Sequence, residues 1–174
     1  MKHIPKLYHI SFKRFNDHVW NPKYPENLET NGKYVKKAGA FPEPDLKRIC
    51  CSQSLKGCFM AVYPNISHYF ELPKFNYPYM DFFYYMPEIP KNIKDSDILS
   101  HQELTELGYV WDAHVTKEWS ILVPVKMVCK GKVRFHNTTT AKPEEWIKAY
   151  PFNDNKNKER MVCPPLRYEI IERF

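Results

Sequence analysis

Fifteen prolines are spread through the 174 residues, beside only five glycines. Each proline lacks an amide N–H and clashes with the preceding turn of a helix, so a chain punctuated this densely has little room for a helical bundle. Aromatic residues make up 16% of the sequence, which suits short strands and stiff aromatic-rich loops, and a mixed α and β architecture is expected. The length fits one compact domain spanning 1–174, able to bury a core without disulfide staples. An odd count of five cysteines suits reduced thiols better than a disulfide framework. No apolar run approaches the roughly 20 residues that cross a bilayer, and "MKHIPKLYHIS" lacks the apolar stretch of a secretory leader. The expectation is a cytoplasmic protein with no membrane contact.

A formal charge of +6 and an isoelectric point near 9.0 favour something anionic as partner. The basic clusters "YVKKAG" and "NDNKNKER" are short and interrupted, and read first as solvated surface.

Along the chain, "KLYHISFKRF" alternates as a strand, with Leu7, His9 and Ser11 on one side and Tyr8, Ile10 and Phe12 on the other. Residues 16–44, rich in proline with Asn31-Gly32 and Gly39, read as an irregular loop or lid. "RICCS" suits a short buried strand. The following segment places Leu55, Cys58, Phe59 and Val62 on one helical face, with Ser52 or Ser54 as cap and Pro64 as its end. "FELPKFNYPYMDFFYYM" reads as an extended segment or hairpin that fills the core with aromatics, confined by Pro73 and Pro78 to an edge or loops. Ser100 and Glu103 form a capping-box pattern ahead of Gly108. "EWSILVPVKMVCKGKVRF" reads as two β runs broken at Pro124 and at Lys130-Gly131, either paired strands or one strand that bends. "KPEEWIKAY" reads as a short helix with Pro143 in its first turn, and "LRYEIIERF" as a last strand.

The stretch "KRICCSQSLKGCFMAVYP" holds Cys50, Cys51 and Cys58. Adjacent thiols followed by a seven-residue gap match neither structural zinc spacing nor the C-x-x-C redox motif, although His9 or His68 could complete a distant metal set. Inert core cysteines account for them more simply. The third reading is a pocket wall, since a strand ending in Ser-x-Ser before a helix offers hydroxyls and free N–H groups to an anionic ligand.

Three segments, in order, resemble the ADP-ribosyltransferase-like superfamily. "LYHIS" at 7–11 is similar to the first-strand "YHGT"-type motif. "ICCSQS" with its helix is similar to the second, a strand leading into Ser-Thr-Ser, and "KEWSILVP" at 117–124 resembles the third, "E-x-E-V-L-L-P". The resemblance covers about twenty residues and implies a split-sheet α+β fold, antiparallel or mixed, with a few short helices and NAD as cofactor. It places His9 at the adenosine ribose and the Ile10 backbone at the nicotinamide amide, with Ser11 beside them in the cofactor site and Ser52 and Ser54 on the second wall; Glu118 matches the first acidic position of the third motif and is the candidate catalytic residue. Ile10 stands where glycine is usual, and Ser120 where the catalytic glutamate is expected. Serine cannot supply the negative charge that steadies a cationic transition state. Either Glu118 or another acid such as Glu103 takes the role, the correspondence shifts by two residues, or the chain is a non-catalytic relative.

The function this implies is an NAD-dependent ADP-ribosyltransferase acting on a macromolecular target, protein or nucleic acid. The alternative is a non-catalytic binding module or inhibitor, of the kind phages encode against a host system, that binds a nucleotide, a protein or nucleic acid. For nucleic acid the tyrosines of 77–85 are a candidate stacking platform. The ordinary reading of His9 is a hydrogen-bonded strand histidine, and of Trp111 and Trp119 core packing.

Overall fold

The run "VKMVCKGKVRFH" makes the longest strand, β7 (Val125–His136), with every odd-numbered residue buried. A computed structural model describes residues 2–16, 18–24, 46–71, 77–110, 112–138, 141, 147–150, 161–163 and 165–174. On one edge, β7 pairs along its length with β4 (Tyr79–Glu88). On its other edge lie β2 (His18–Trp20), against Val125 to Met127, and β10 (Tyr168–Arg173), against Gly131 to Phe135. The outer edge of β4 takes β1 (His9–Ser11), and all these pairings are antiparallel. Opposed charges help hold the register: Arg134 donates twice to its cross-strand partner Asp81, at 2.7 and 2.9 Å, with its guanidinium 3.7 Å from the Tyr79 ring centre.

A bulge divides β7 into two working halves. Tyr84 faces Gly131 whereas Tyr85 faces Cys129, so Lys130 is the extra residue. An extra residue turns the strand over. Val125, Met127 and Cys129 therefore enter one apolar core, while Val133 and Phe135 enter a second on the opposite side of the sheet. Gly131 sits at φ +144°, and a Cβ there would lie 1.9 Å from the Glu172 carbonyl oxygen. Only glycine lets β10 approach so closely.

The second core is closed by α1 (Leu55–Glu71). Ser54 caps it, its Oγ accepting from the Gly57 N–H at 3.0 Å. Leu55, Cys58, Phe59, Ile66 and Phe70 then form one buried face against Phe82, Tyr84, Val133 and Phe135, and Phe59 stacks on Phe135 with ring centres 4.6 Å apart. The first core lies between the five-stranded sheet and a second sheet ordered β3 (Ile49–Ser52), β6 (Glu118–Ile121), β5 (Ile98–Leu99). It gathers Leu7, Ile49, Cys51, Tyr85, Trp119 and Ile121 among others. Two short helices flank this sheet. α2 (His101–Glu106) carries the expected capping box, with the Ser100 N–H donating to Glu103 at 2.8 Å, and Gly108 follows at φ +67°. α3 (Ala113–Thr116) leads directly into β6. A separate pair joins β8 (Ile147–Tyr150) to β9 (Met161–Cys163).

The fold is thus mixed α+β with antiparallel sheets, and several local expectations need correcting. Helix α1 continues through Pro64, because Ile66 and Phe70 bury at 1% and 3% exposure and their packing outweighs the missing N–H. Within 16–44, His18 to Trp20 form a strand, and residues 25–45 lie outside the described residues. β4 is interior where β1 flanks it at Phe83 to Tyr85, so it is no simple edge. β6 and β7 do not pair: the chain crosses at residues 122–124 from one sheet to the other, and at Lys130-Gly131 the strand bends without breaking. Residues 147–150 are strand and not helix, held by the distant partner 161–163. Among the described residues no helix is long and apolar enough to cross a membrane.

Gly131→Ala is expected to destabilise the protein by about 3 kcal/mol, from left-handed strain and the clash with Glu172. In a thermal melt this should lower Tm by roughly 6–12 °C.

Candidate functional site

The two sheets are stitched together where Tyr8 and Ser52 exchange both backbone hydrogen bonds, each 2.8 Å long. This places the next residue, His9, beside β3, with its Nδ1 2.8 Å from the Cys50 carbonyl oxygen. In turn β3 pairs with β6, setting Ser52 opposite Glu118 and Cys50 opposite Ser120. Strand alternation then sorts the side chains. Ile49, Cys51, Trp119 and Ile121 enter the first core, and Arg48, Cys50, Ser52, Glu118 and Ser120 share the other face.

A small cleft of about 90 Å³ opens on that face, lined by His9, Ile10, Cys50, Ser52, Thr116 and Glu118, with α1 behind them. His9 and Cys50 also border a wider cleft of about 520 Å³, which Phe15, Trp20, Lys23 and Arg48 complete. The Trp20 ring meets His9 edge-on at 5.1 Å and Phe15 at 5.4 Å. Tyr85 braces this wall from below, its hydroxyl accepting from the Phe15 N–H at 2.6 Å.

The small cleft owes its floor to the Ser52 hydroxyl, which donates to the Thr116 carbonyl at 2.6 Å. Lys117 turns at φ +55°, and its carbonyl accepts from the Gln53 N–H at 3.2 Å, so Glu118 enters β6 in a fixed position. Helix α1 fits against this bond only because residue 57 is glycine. A Cβ there would lie 2.1 Å from Ser52 Oγ and 2.2 Å from the Thr116 carbonyl oxygen.

Charge in the site is paired. Arg48 Nε lies 3.8 Å from Glu118 Oε1, with the two side chains only 3% and 13% exposed. At such burial their attraction is weakly screened. Burial pushes the Cys50 thiol far up, and the Glu118 charge adds to this against the pull of Arg48. Burial likewise raises Cys51, and raises Cys58 to about 12. None of the three offers a thiolate at neutral pH. His9 is held below the usual imidazole value, first by burial, with the bond to Cys50 working the other way. The ring is therefore neutral at pH 7, with Nδ1–H donating to Cys50 and Nε2 unprotonated.

His9, Ile10, Ser52 and Glu118 thus meet at one cleft, and Ser11 borders the wider one. Ser54 does not join them: its oxygen caps α1, and it lines a separate groove. Ser120 is fully buried away from the opening. Glu103 is tied to Lys2 at 2.5 Å and to Ser100. Cys51 and Cys58 pack into different cores while also lining the small cleft, and Trp119 is core. Trp111 and the His68 side chain lie outside the described residues. Arg48, Trp20, Thr116 and Gly57 are site residues that sequence reasoning missed. Two of them left signals: Arg48 begins the alternation Arg48-x-Cys50-x-Ser52, and a glycine inside a helical pattern marks a close approach.

Gly57→Ala should cost about 2–3 kcal/mol by prising α1 from β3. Adding Ser52→Ala should recover only part of it in a denaturant melt, because the Thr116 carbonyl still clashes. For His9 the unfolded chain takes up a proton below about pH 6.5 that the folded site resists, so its stabilising contribution is present above that pH and lost as pH falls through the lowered folded value. Compared with His9→Asn, the wild type should lose Tm more steeply between about pH 7 and 5; parallel curves would refute a depressed His9. Compared with known proteins, the chain matches no family model, no curated sequence and no solved structure.

Proposed function

We propose that the chain is an NAD-dependent, ADP-ribosyltransferase-like protein acting on a macromolecular target. The observation that carries this reading is the meeting of His9, Ser52 and Glu118 at one cleft, from three distant segments in the order of the three motifs. The two-sheet α+β architecture joined at Tyr8 and Ser52 also agrees with a split-sheet fold.

The neighbouring cleft suits a nucleotide. Arg48 and Lys23 would attract phosphates, and the Phe15 and Trp20 rings would pack on a flat ring system. Among the described residues the buried Trp20 Nε1 has no hydrogen-bond partner, a donor that a bound polar group would satisfy. When bound, NAD would supply an electrophilic ribose carbon with nicotinamide as leaving group. Neutral His9 presents Nε2 as an acceptor for a hydroxyl. Ser52 acts indirectly, by fixing the backbone that leads into β6. Glu118 provides negative charge at the cleft, so the acid stands two residues before the position that Ser120 fills.

One observation favours a second reading. The Arg48 guanidinium beside Glu118 partly neutralises the charge such chemistry needs, which suits a nucleotide-binding module without turnover.

Calorimetric titration with NAD and an assay of nicotinamide release separate the two. For the enzyme, His9→Ala should weaken NAD binding roughly ten-fold, while Glu118→Gln should spare binding and cut release by about 10²–10³. Binding without release assigns the second reading, and no binding at millimolar NAD overturns both.

A further inference from the structure

On the far side of the Tyr8–Ser52 joint lies a groove of about 580 Å³ between the start of α1 and β10. Its charged lining is Lys6, Lys130 and Arg173, and among the described residues that form it none has an acidic side chain. Beside these cations stand four rings, of Tyr8, Tyr84, Tyr168 and Phe174; Tyr84 is buried, whereas Tyr168 and Phe174 are 36% and 48% exposed.

The rings are held in place. The Tyr168 ring lies 5.2 Å from that of Phe59, and its backbone is held in β10 opposite Phe135. The Phe174 N–H donates to the Lys130 carbonyl at 3.1 Å, and the Arg14 guanidinium sits 4.4 Å from its ring centre. Both rings therefore keep exposed area without being free to collapse inward.

We infer that this groove binds a single strand of nucleic acid. Cations without acids attract phosphates, and fixed exposed rings accept bases, each of which has a π face. A duplex is a poorer fit, because its bases are already stacked on each other. An acidic peptide would use the lysines and leave the rings without a matching group. The site is separate from the His9 cleft: Tyr8 and His9 are neighbours in sequence, but only Tyr8 lines the groove. The inference therefore does not depend on NAD chemistry.

The test is fluorescence anisotropy with a labelled oligothymidylate of about ten nucleotides. Three phosphate contacts predict a log–log salt slope of about −2, a roughly twenty-fold loss of affinity between about 50 and 200 mM salt. Lys6→Gln, Lys130→Gln and Arg173→Gln together should flatten that slope to near zero, whereas Phe174→Ala should weaken binding roughly ten-fold with the slope unchanged. These side chains lie at the surface, and unchanged Tm values confirm that the variants are folded. His9→Ala should leave oligonucleotide binding intact, so a failure of the NAD reading and a failure of this one are told apart. No binding at low salt, equal affinity for the duplex, full competition by polyglutamate, or binding indifferent to these substitutions would each overturn the inference.

Discussion

Two backbone hydrogen bonds between Tyr8 and Ser52 decide what the rest of the molecule can be. Backbone pairs are modest in energy, but they fix register absolutely, since a slip of one residue sends every side chain to the opposite face. Here the register sets His9 against the Cys50 carbonyl, and through β3 it sets Glu118 opposite Ser52. The first core, between the two sheets, closes over this joint: Leu7 precedes it, Cys51 adjoins it, and both are buried. A candidate site built on two strand ends is thereby held by the interior, and not by loops.

How legible this was depended on whether a partner lay nearby in sequence. The strand at Ile49 to Ser52, the helix face Leu55, Cys58 and Phe59, and the Ser100–Glu103 box all declare themselves within a few residues. What failed needed a remote partner. His18 to Trp20 is strand only because Val125 to Met127 lies alongside, and Ile147 to Tyr150 only because of Met161 to Cys163. Local chemistry makes Pro64 a helix end, whereas Ile66 and Phe70, beyond it, hold the helix onto the sheet. The β character of 125–136 is legible in the sequence, but not that Lys130 inverts the alternation and lets one strand feed two cores.

The site divides in the same way. His9, Ser52 and Glu118 stood out as residue types that chemistry uses, and they converge. Ser54 had the same credentials as Ser52, yet its oxygen is committed to the helix cap. A basic residue before a strand is usually solvated, and only the fold shows Arg48 buried beside Glu118. An isolated buried guanidinium or carboxylate is costly, so each helps the other to remain charged inside. That mutual support is also why Glu118 holds its place at the cleft: the acid the chemistry would draw on is the one the fold already needs.

The same alternation gives neighbouring residues different duties. His9 faces the small cleft while Tyr8 faces the basic groove; Ser52 braces the cleft floor, and Ser54, beyond the end of β3, borders the groove as the cap of α1. Both surfaces are therefore templated by one joint and one register. Any change that loosens the Tyr8–Ser52 pairing would disturb cleft and groove together, whereas substitutions on a single face should be felt at that face alone. Two binding surfaces can thus be carried by one short strand crossing, because a pleated backbone presents two independent faces at no extra length.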